Sequence, residues 1–144
     1  QETAPLLRRL LRDEDWGVRA LAARVVGPEI GESGLDTLLG HVAQPDFPSR
    51  RAGEVEAILA AVARLADAGV GEARGIAALA GLWRPRLWRK RPEAVRVQAL
   101  KALAAVSGPR AEECLQAAAA SREAAIRHPA RELLRRRSQG KVGG

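Results

Sequence analysis

Nine consecutive residues, Trp83-Arg84-Pro85-Arg86-Leu87-Trp88-Arg89-Lys90-Arg91, hold five cations and two indoles. Cations at that density attract phosphates or carboxylates, and an indole beside them stacks on a base or packs under a guanidinium. A second basic cluster, Arg135-Arg136-Arg137 with Arg131 and Lys141, would extend the same face. Both clusters also admit a plain structural role. Trp83 closes an apolar stripe with Ile76 and Leu79 at i, i+3 and i+7, which suits a plug in a helix seam. A basic last turn suits the helix dipole. Trp88 is harder to explain by packing, because its neighbours on both sides are basic.

Other chemistries find little material. His41 and His128 have no partner at metal-ligand spacing, and Cys114 falls in a helical segment whose apolar face buries it. Glu54 and Glu56, two apart, point to different faces of a helix and do not form a carboxylate pair. There is no Gly-rich phosphate loop and no Ser-His-acid order. The expectation is a chain without catalytic residues, metal or cofactor, not an enzyme, and without a small-molecule ligand. One Cys excludes an internal disulfide, and a reducing cytoplasm is the default compartment. No apolar stretch approaches the roughly 20 residues of a spanning helix.

The charge is unevenly placed. Residues 1–83 hold 9 Lys/Arg against 12 Asp/Glu, net −3, whereas residues 84–144 hold 15 against 5, net +10. Net charge of this sign predicts an acidic partner for the C-terminal part, either a protein or the backbone of a nucleic acid.

The elements that must position these residues are marked by a repeated phrase. An aliphatic residue precedes Arg, and small or aliphatic residues follow three, six and seven positions later: Val18-Arg19 with Ala22, Val25 and Val26; Val95-Arg96 with Ala99, Ala102 and Leu103; Ile126-Arg127 with Ala130, Leu133 and Leu134. Arg96 and Arg127 are 31 residues apart, and Arg19 and Arg96 are 77 apart. Spacings of about 20–50 residues indicate stacked helical repeats. Arg19, Arg96 and Arg127 could form a phosphate-binding row or serve structurally within the repeats.

Apolar periodicity and Gly/Pro punctuation predict about nine helices and no strand. The segments are 4–12, Trp16–Val26 capped by Asp13-Glu14-Asp15, one opened by Ser33, Ser49–Asp67, Glu72–Trp83, Pro92–Val106, Arg110–Ala120, and a last helix from Arg122 to about Arg137 capped by Ser121. In the second of these, Val18, Leu21, Ala22 and Val25 make the predicted buried stripe. Trp16 reads as a lid over the first seam. Each helix has one apolar face, and pairing and stacking would bury all of them. The first residue is Gln1 and the outermost helices lack partners, which predicts an excerpt of a longer protein.

The phrase resembles the HEAT repeat, whose first helix carries Val-Arg-x-x-Ala, matched by Val18, Arg19 and Ala22, by Val95, Arg96 and Ala99, and by Ile126, Arg127 and Ala130. Gly108-Pro109 followed by Ala111, Leu115 and Ala118 is similar to the turn and second helix of bacterial repeats of this kind. The unit Ser49–Trp83 departs most, placing Glu54 and Val55 where the aliphatic-Arg pair should fall. The resemblance implies an all-α, right-handed superhelix of about four helix pairs, with pairs near 14–44, 49–83, 92–120 and, in part, 122–137, and a flexible tail over 138–144, all in one domain over 1–144. It implies that an acidic residue before each first helix bonds the repeat arginine: Asp15 for Arg19, and approximately Glu123 for Arg127. It also implies a non-catalytic scaffold for a protein partner in a bacterial-type protein. The candidate contact residues are Trp83, Arg84, Arg86, Trp88, Arg89, Lys90, Arg91, Arg135, Arg136 and Arg137. The alternative is nucleic-acid binding by the same basic face, at 84–91 and 131–141.

Overall fold

The described residues form eight α-helices: α1 (Thr3–Leu10), α2 (Trp16–Val25), α3 (Gly31–Val42), α4 (Ala52–Asp67), α5 (Glu72–Trp83), α6 (Glu93–Ala104), α7 (Pro109–Ala119) and α8 (Ala124–Gly143). The computed structural model describes residues 3–85 and 91–143, with side chains through Gly140. Among the described residues there is no strand, and two 3-10 turns, Pro28–Ile30 and Phe47–Ser49, lead into α3 and α4. About nine helices were expected, and the described residues hold eight. The last helix, expected to end near Arg137, continues to Gly143.

Local chemistry sets the boundaries. Asp15 caps α2, its Oδ1 accepting from the backbone N of Gly17 at 2.7 Å and of Val18 at 3.3 Å, which satisfies donors that the first turn cannot pair internally. Between α4 and α5 the chain reverses through two glycines of positive φ, Gly69 (86°) and Gly71 (59°). A Cβ at Gly71 would lie 2.3 Å from Leu35 Cδ2. That position therefore needs glycine twice over, for its left-handed backbone and for the close approach of α3.

Packing is organised around α4. Ten of its 16 residues are buried, so it is apolar nearly all round and must be covered on several sides. α2, α3, α5 and α6 supply that cover. The even-numbered helices form a row in which α2 packs on α4, α4 on α6 and α6 on α8, while α1, α3, α5 and α7 form a second row in the same manner. One buried apolar cluster runs through both rows from Leu7 to Ala130.

The face of α2 differs from the prediction. Ala20, Ala22, Ala23 and Val26 are buried, whereas Leu21 and Val25 are 61% and 59% exposed. A stripe chosen by side-chain size selects Leu21 and Val25. The buried face is made of alanines instead, and α2 packs on α4, where small residues let two helix backbones approach closely. The larger residues are left on the side away from α4.

Candidate functional site

Arginine ties between neighbouring helices of the even row dominate the polar structure. From α2, Arg19 reaches the first turn of α4, donating from Nε to Glu54 Oε2 at 2.6 Å and from Nη2 to Oε1 at 2.9 Å. Its Nη1 donates to the carbonyls of Asp13 and Glu14. From α6, Arg96 reaches Glu123 at the start of α8 with two bonds of 2.7 and 2.8 Å, and its Nε donates to Trp83 O. The far ends of the same helix pairs are closed by two more arginines. Arg64 of α4 donates to the carbonyls of Ala23 and Val26 at the end of α2, and Arg137 of α8 to those of Ala104 and Val106 at the end of α6. Cations there satisfy carbonyls left unpaired by the helix and complement its dipole.

The acidic partners differ from those implied by the resemblance. The Asp15 carboxylate caps α2 and accepts no bond from the Arg19 guanidinium; the carboxylate of Arg19 is Glu54, in the next even helix. Glu123 pairs with Arg96 of the preceding even helix, and Arg127 donates to the carbonyls of Ser121 and Arg122.

Glu54 is fully buried and is shared. Arg50 donates to its Oε2 at 3.0 Å and also contacts His41 Nδ1 at 3.1 Å, while His41 Nε2 lies 2.6 Å from Leu11 O. Because Leu11 O can only accept, the proton sits on Nε2 and Nδ1 accepts from Arg50. Burial pushes the Glu54 carboxyl up, but the hydrogen bonds and charges of Arg19 and Arg50 outweigh it and hold the group below its usual range. Burial, with the Arg50 charge added, lowers the pKa of His41 despite the Leu11 carbonyl. Beside this cluster a shallow recess of about 380 Å³ is lined by Trp16, Arg51, Asp46 and Ser49. The Arg51 guanidinium lies 5.3 Å from the ring centre of the half-exposed Trp16.

The basic segment that follows α5 is described at its two ends. Trp83 is buried, its Nε1–H without an acceptor among the described residues. Arg84 is exposed, its guanidinium 5.9 Å from the Trp83 ring centre. Arg91 donates to Gly81 O at 2.8 Å and so closes back on the end of α5. Arg86, Trp88, Arg89 and Lys90 lie outside the described residues. In the C-terminal cluster, Arg135 and Arg136 are exposed and both bond Glu132, whereas Arg137 is half-buried on the end of α6. Arg131 donates to Ala119 O at the end of α7.

A groove of about 640 Å³ opens where the basic segment returns. Its walls are Leu39, Val42, Pro45, Pro48 and Leu82, from the ends of α3 and α5 and the turn before α4, and Arg91 stands among them. An apolar trough beside cations can hold an extended or helical segment with apolar and acidic side chains. Sequence reasoning missed the trough, since its walls come from segments about 40 residues apart with no shared motif. The Pro45–Pro48 turn was its only local mark.

Cys114 is half-buried, and burial raises its thiol pKa, which disfavours the nucleophilic thiolate. Among the described residues no group of three or more His, Cys, Asp or Glu is arranged to hold a metal. No helix of the described residues is long and apolar enough to cross a membrane. No family model matches the chain, and no curated protein matches it.

Proposed function

We propose that this chain is a non-catalytic scaffold of HEAT-like helix pairs, a right-handed solenoid that holds a protein partner bearing acidic side chains. The two rows of alternate helices support the repeat reading, as do the arginine ties across α2/α4 and α6/α8. The observation that carries the binding reading is the apolar trough between Leu39 and Leu82 at the foot of the basic segment. Apolar walls give a peptide something to bury, and Arg91 among them favours an acidic residue beside it.

Fluorescence anisotropy tests this with two probes, a labelled peptide of alternating Leu and Glu and a labelled DNA duplex. The scaffold reading expects peptide binding that is weakened by Val42→Asp, at a part-exposed wall of the trough, and by Arg91→Glu. Duplex binding favours the alternative if its affinity falls with salt at a slope near −0.9 per phosphate and Val42→Asp leaves it unchanged. If peptide binding is absent as well, the scaffold reading fails.

A further inference from the structure

The turn before α4 borders two depressions at once. On one side is the apolar trough, with Pro45, Pro48 and Ser49 of the turn on one wall and Leu82 and Arg91, from α5 and the stretch before α6, on the other. On the other side is the recess of about 380 Å³ between the starts of α2 and α4, where Trp16, Arg50 and Arg51 stand. Ser49 is exposed and lines both. Every wall of the recess lies within residues 16–54, between two neighbouring helices, so it owes nothing to the outer face of either row.

The cations of the recess are not equally engaged. Arg19 and Arg50 both bond the buried Glu54, and Arg50 also meets Asp46 at 3.5 Å. Three guanidiniums thus stand against two carboxylates, and the one left over is Arg51. It is exposed, makes no ion pair among the described residues, and lies 5.3 Å from the ring centre of Trp16. A guanidinium stacked on an indole keeps its in-plane N–H donors open, in the fork that matches a carboxylate. Trp16 is itself 42% exposed, which leaves ring area for a ligand to cover. Arg24, also exposed and without an ion pair among the described residues, closes on the indole edge: a Cβ at Gly53 would lie 3.7 Å from Arg24 Nη2 and 3.9 Å from Trp16 Cζ3.

Given peptide binding in the trough, on which this rests, we propose that the bound segment of the partner continues across the turn at Ser49 and sets an acidic residue on Arg51. The partner's motif is then bipartite: apolar side chains for the trough and, a few residues away, a carboxylate that takes the fork of the stacked guanidinium. Arg51 supplies the charge, Trp16 holds it in place and offers the apolar surface beside it, and an arginine with an aromatic is a common anchor of protein interfaces. The trough contributes burial, while the recess selects for charge at a set distance from it.

Fluorescence anisotropy of the full chain tests this with the labelled Leu/Glu peptide and with versions of it lengthened at the N- or C-terminal end. Each extension is about four residues, which reach roughly 13 Å, and ends in Asp-Glu or, as its neutral control, in Ser-Gln. One of the two acid-ended peptides is expected to bind about fivefold tighter than its control. Arg51→Ala removes that gain and leaves the unextended peptide unchanged, with the melting curve of the parent. Arg51→Lys, which keeps the charge but not the fork, retains part of the gain. Arg135→Ala, the same loss of charge on α8, leaves it intact. If neither acid-ended peptide outbinds its control, or if Arg135→Ala lowers the gain as much as Arg51→Ala, the proposal fails while binding of the unextended peptide still stands. If the unextended peptide does not bind, the trough and its extension fall together. Duplex binding that Arg51→Ala weakens, with no gain for any peptide, also overturns the proposal and assigns the recess to phosphates.

Discussion

Replacing Glu54 by Gln is the sharpest perturbation this fold offers. The side chain is fully buried and receives three charge-assisted bonds, two from Arg19 and one from Arg50, whose own side chains are 16% and 15% exposed. Glutamine keeps the shape but removes the charge and one acceptor, so the two guanidiniums lose the carboxylate they share, and the only carboxylate Arg50 keeps among the described residues is Asp46 at 3.5 Å. Removing one partner of a buried ion pair costs about 3–5 kcal/mol, and the residual water access of the arginines places this case near the lower end, about 3 kcal/mol. For a chain of this size that is a fall in Tm of about 6–12 °C and a large part of a typical stability of about 5–15 kcal/mol. Urea and thermal unfolding of the parent and of Glu54→Gln measure it. Glu123→Gln is the control, because it also removes the carboxylate of a repeat arginine but at a side chain 42% exposed; about 1 kcal/mol or less is expected there. A Glu54→Gln chain within about 1 kcal/mol of the parent, or no worse than Glu123→Gln, would refute the claim that burial makes this tie strong.

Acid should weaken the same cluster in two steps. His41 is held neutral with its pKa lowered, so its contribution is complete above its unfolded value of about 6.5 and is lost as pH falls from there through the lowered folded value. Unfolding followed from about pH 7 to pH 5 should show a decline that His41→Gln removes. Glu54, also held low, contributes fully above about pH 4.3 and loses that contribution as pH falls through its folded value, so the parent has a further acid limb that Glu54→Gln lacks. In the Arg135-Arg136-Arg137 run, Arg137→Ala uncovers two carbonyls at the end of α6 and should cost about 1.5–3 kcal/mol, whereas Arg135→Ala should leave the melting curve unchanged. Gly34→Ala would put a Cβ 2.2 Å from Ile30 Cγ1 in the packed start of α3, and a loss of about 1–3 kcal/mol on thermal unfolding is expected.

Helices were legible in this sequence wherever boundary chemistry and periodicity agreed. Asp15 before α2, Pro92 before α6 and the glycines between α4 and α5 mark real boundaries, because each supplies a backbone need that is local to a few residues. The inward face of α2 was not legible. Periodicity weighted by side-chain size selects Leu21 and Val25, while the residues that are buried are Ala20, Ala22 and Ala23. Alanine says little by itself about which way it faces, since it is as acceptable in water as in a close-packed seam. What decides is the neighbouring helix, and a single helical segment carries no information about it.

The basic residues make the same point for function. Adjacent arginines of one run have different work: Arg135 and Arg136 hold Glu132 in solvent, while Arg137 closes the end of a helix more than 30 residues away. Charge density therefore overstates the cations left for a partner, and only tertiary contacts sort them. Glu54 is the converse case. In the sequence it marks the place where the repeated phrase fails; in the fold it is the acceptor on which Arg19 and Arg50 converge. The carboxylates that answer Arg19 and Arg96 lie 35 and 27 residues downstream, so no fixed spacing links a repeat arginine to its partner. Glu54 near the start of a mostly apolar helix, where the aliphatic-Arg pair of the phrase was expected, was the available signal. A buried charge is tolerable only if paired, so the physical question Glu54 poses is which cation reaches it, and the stacking of α2 on α4 supplies the answer.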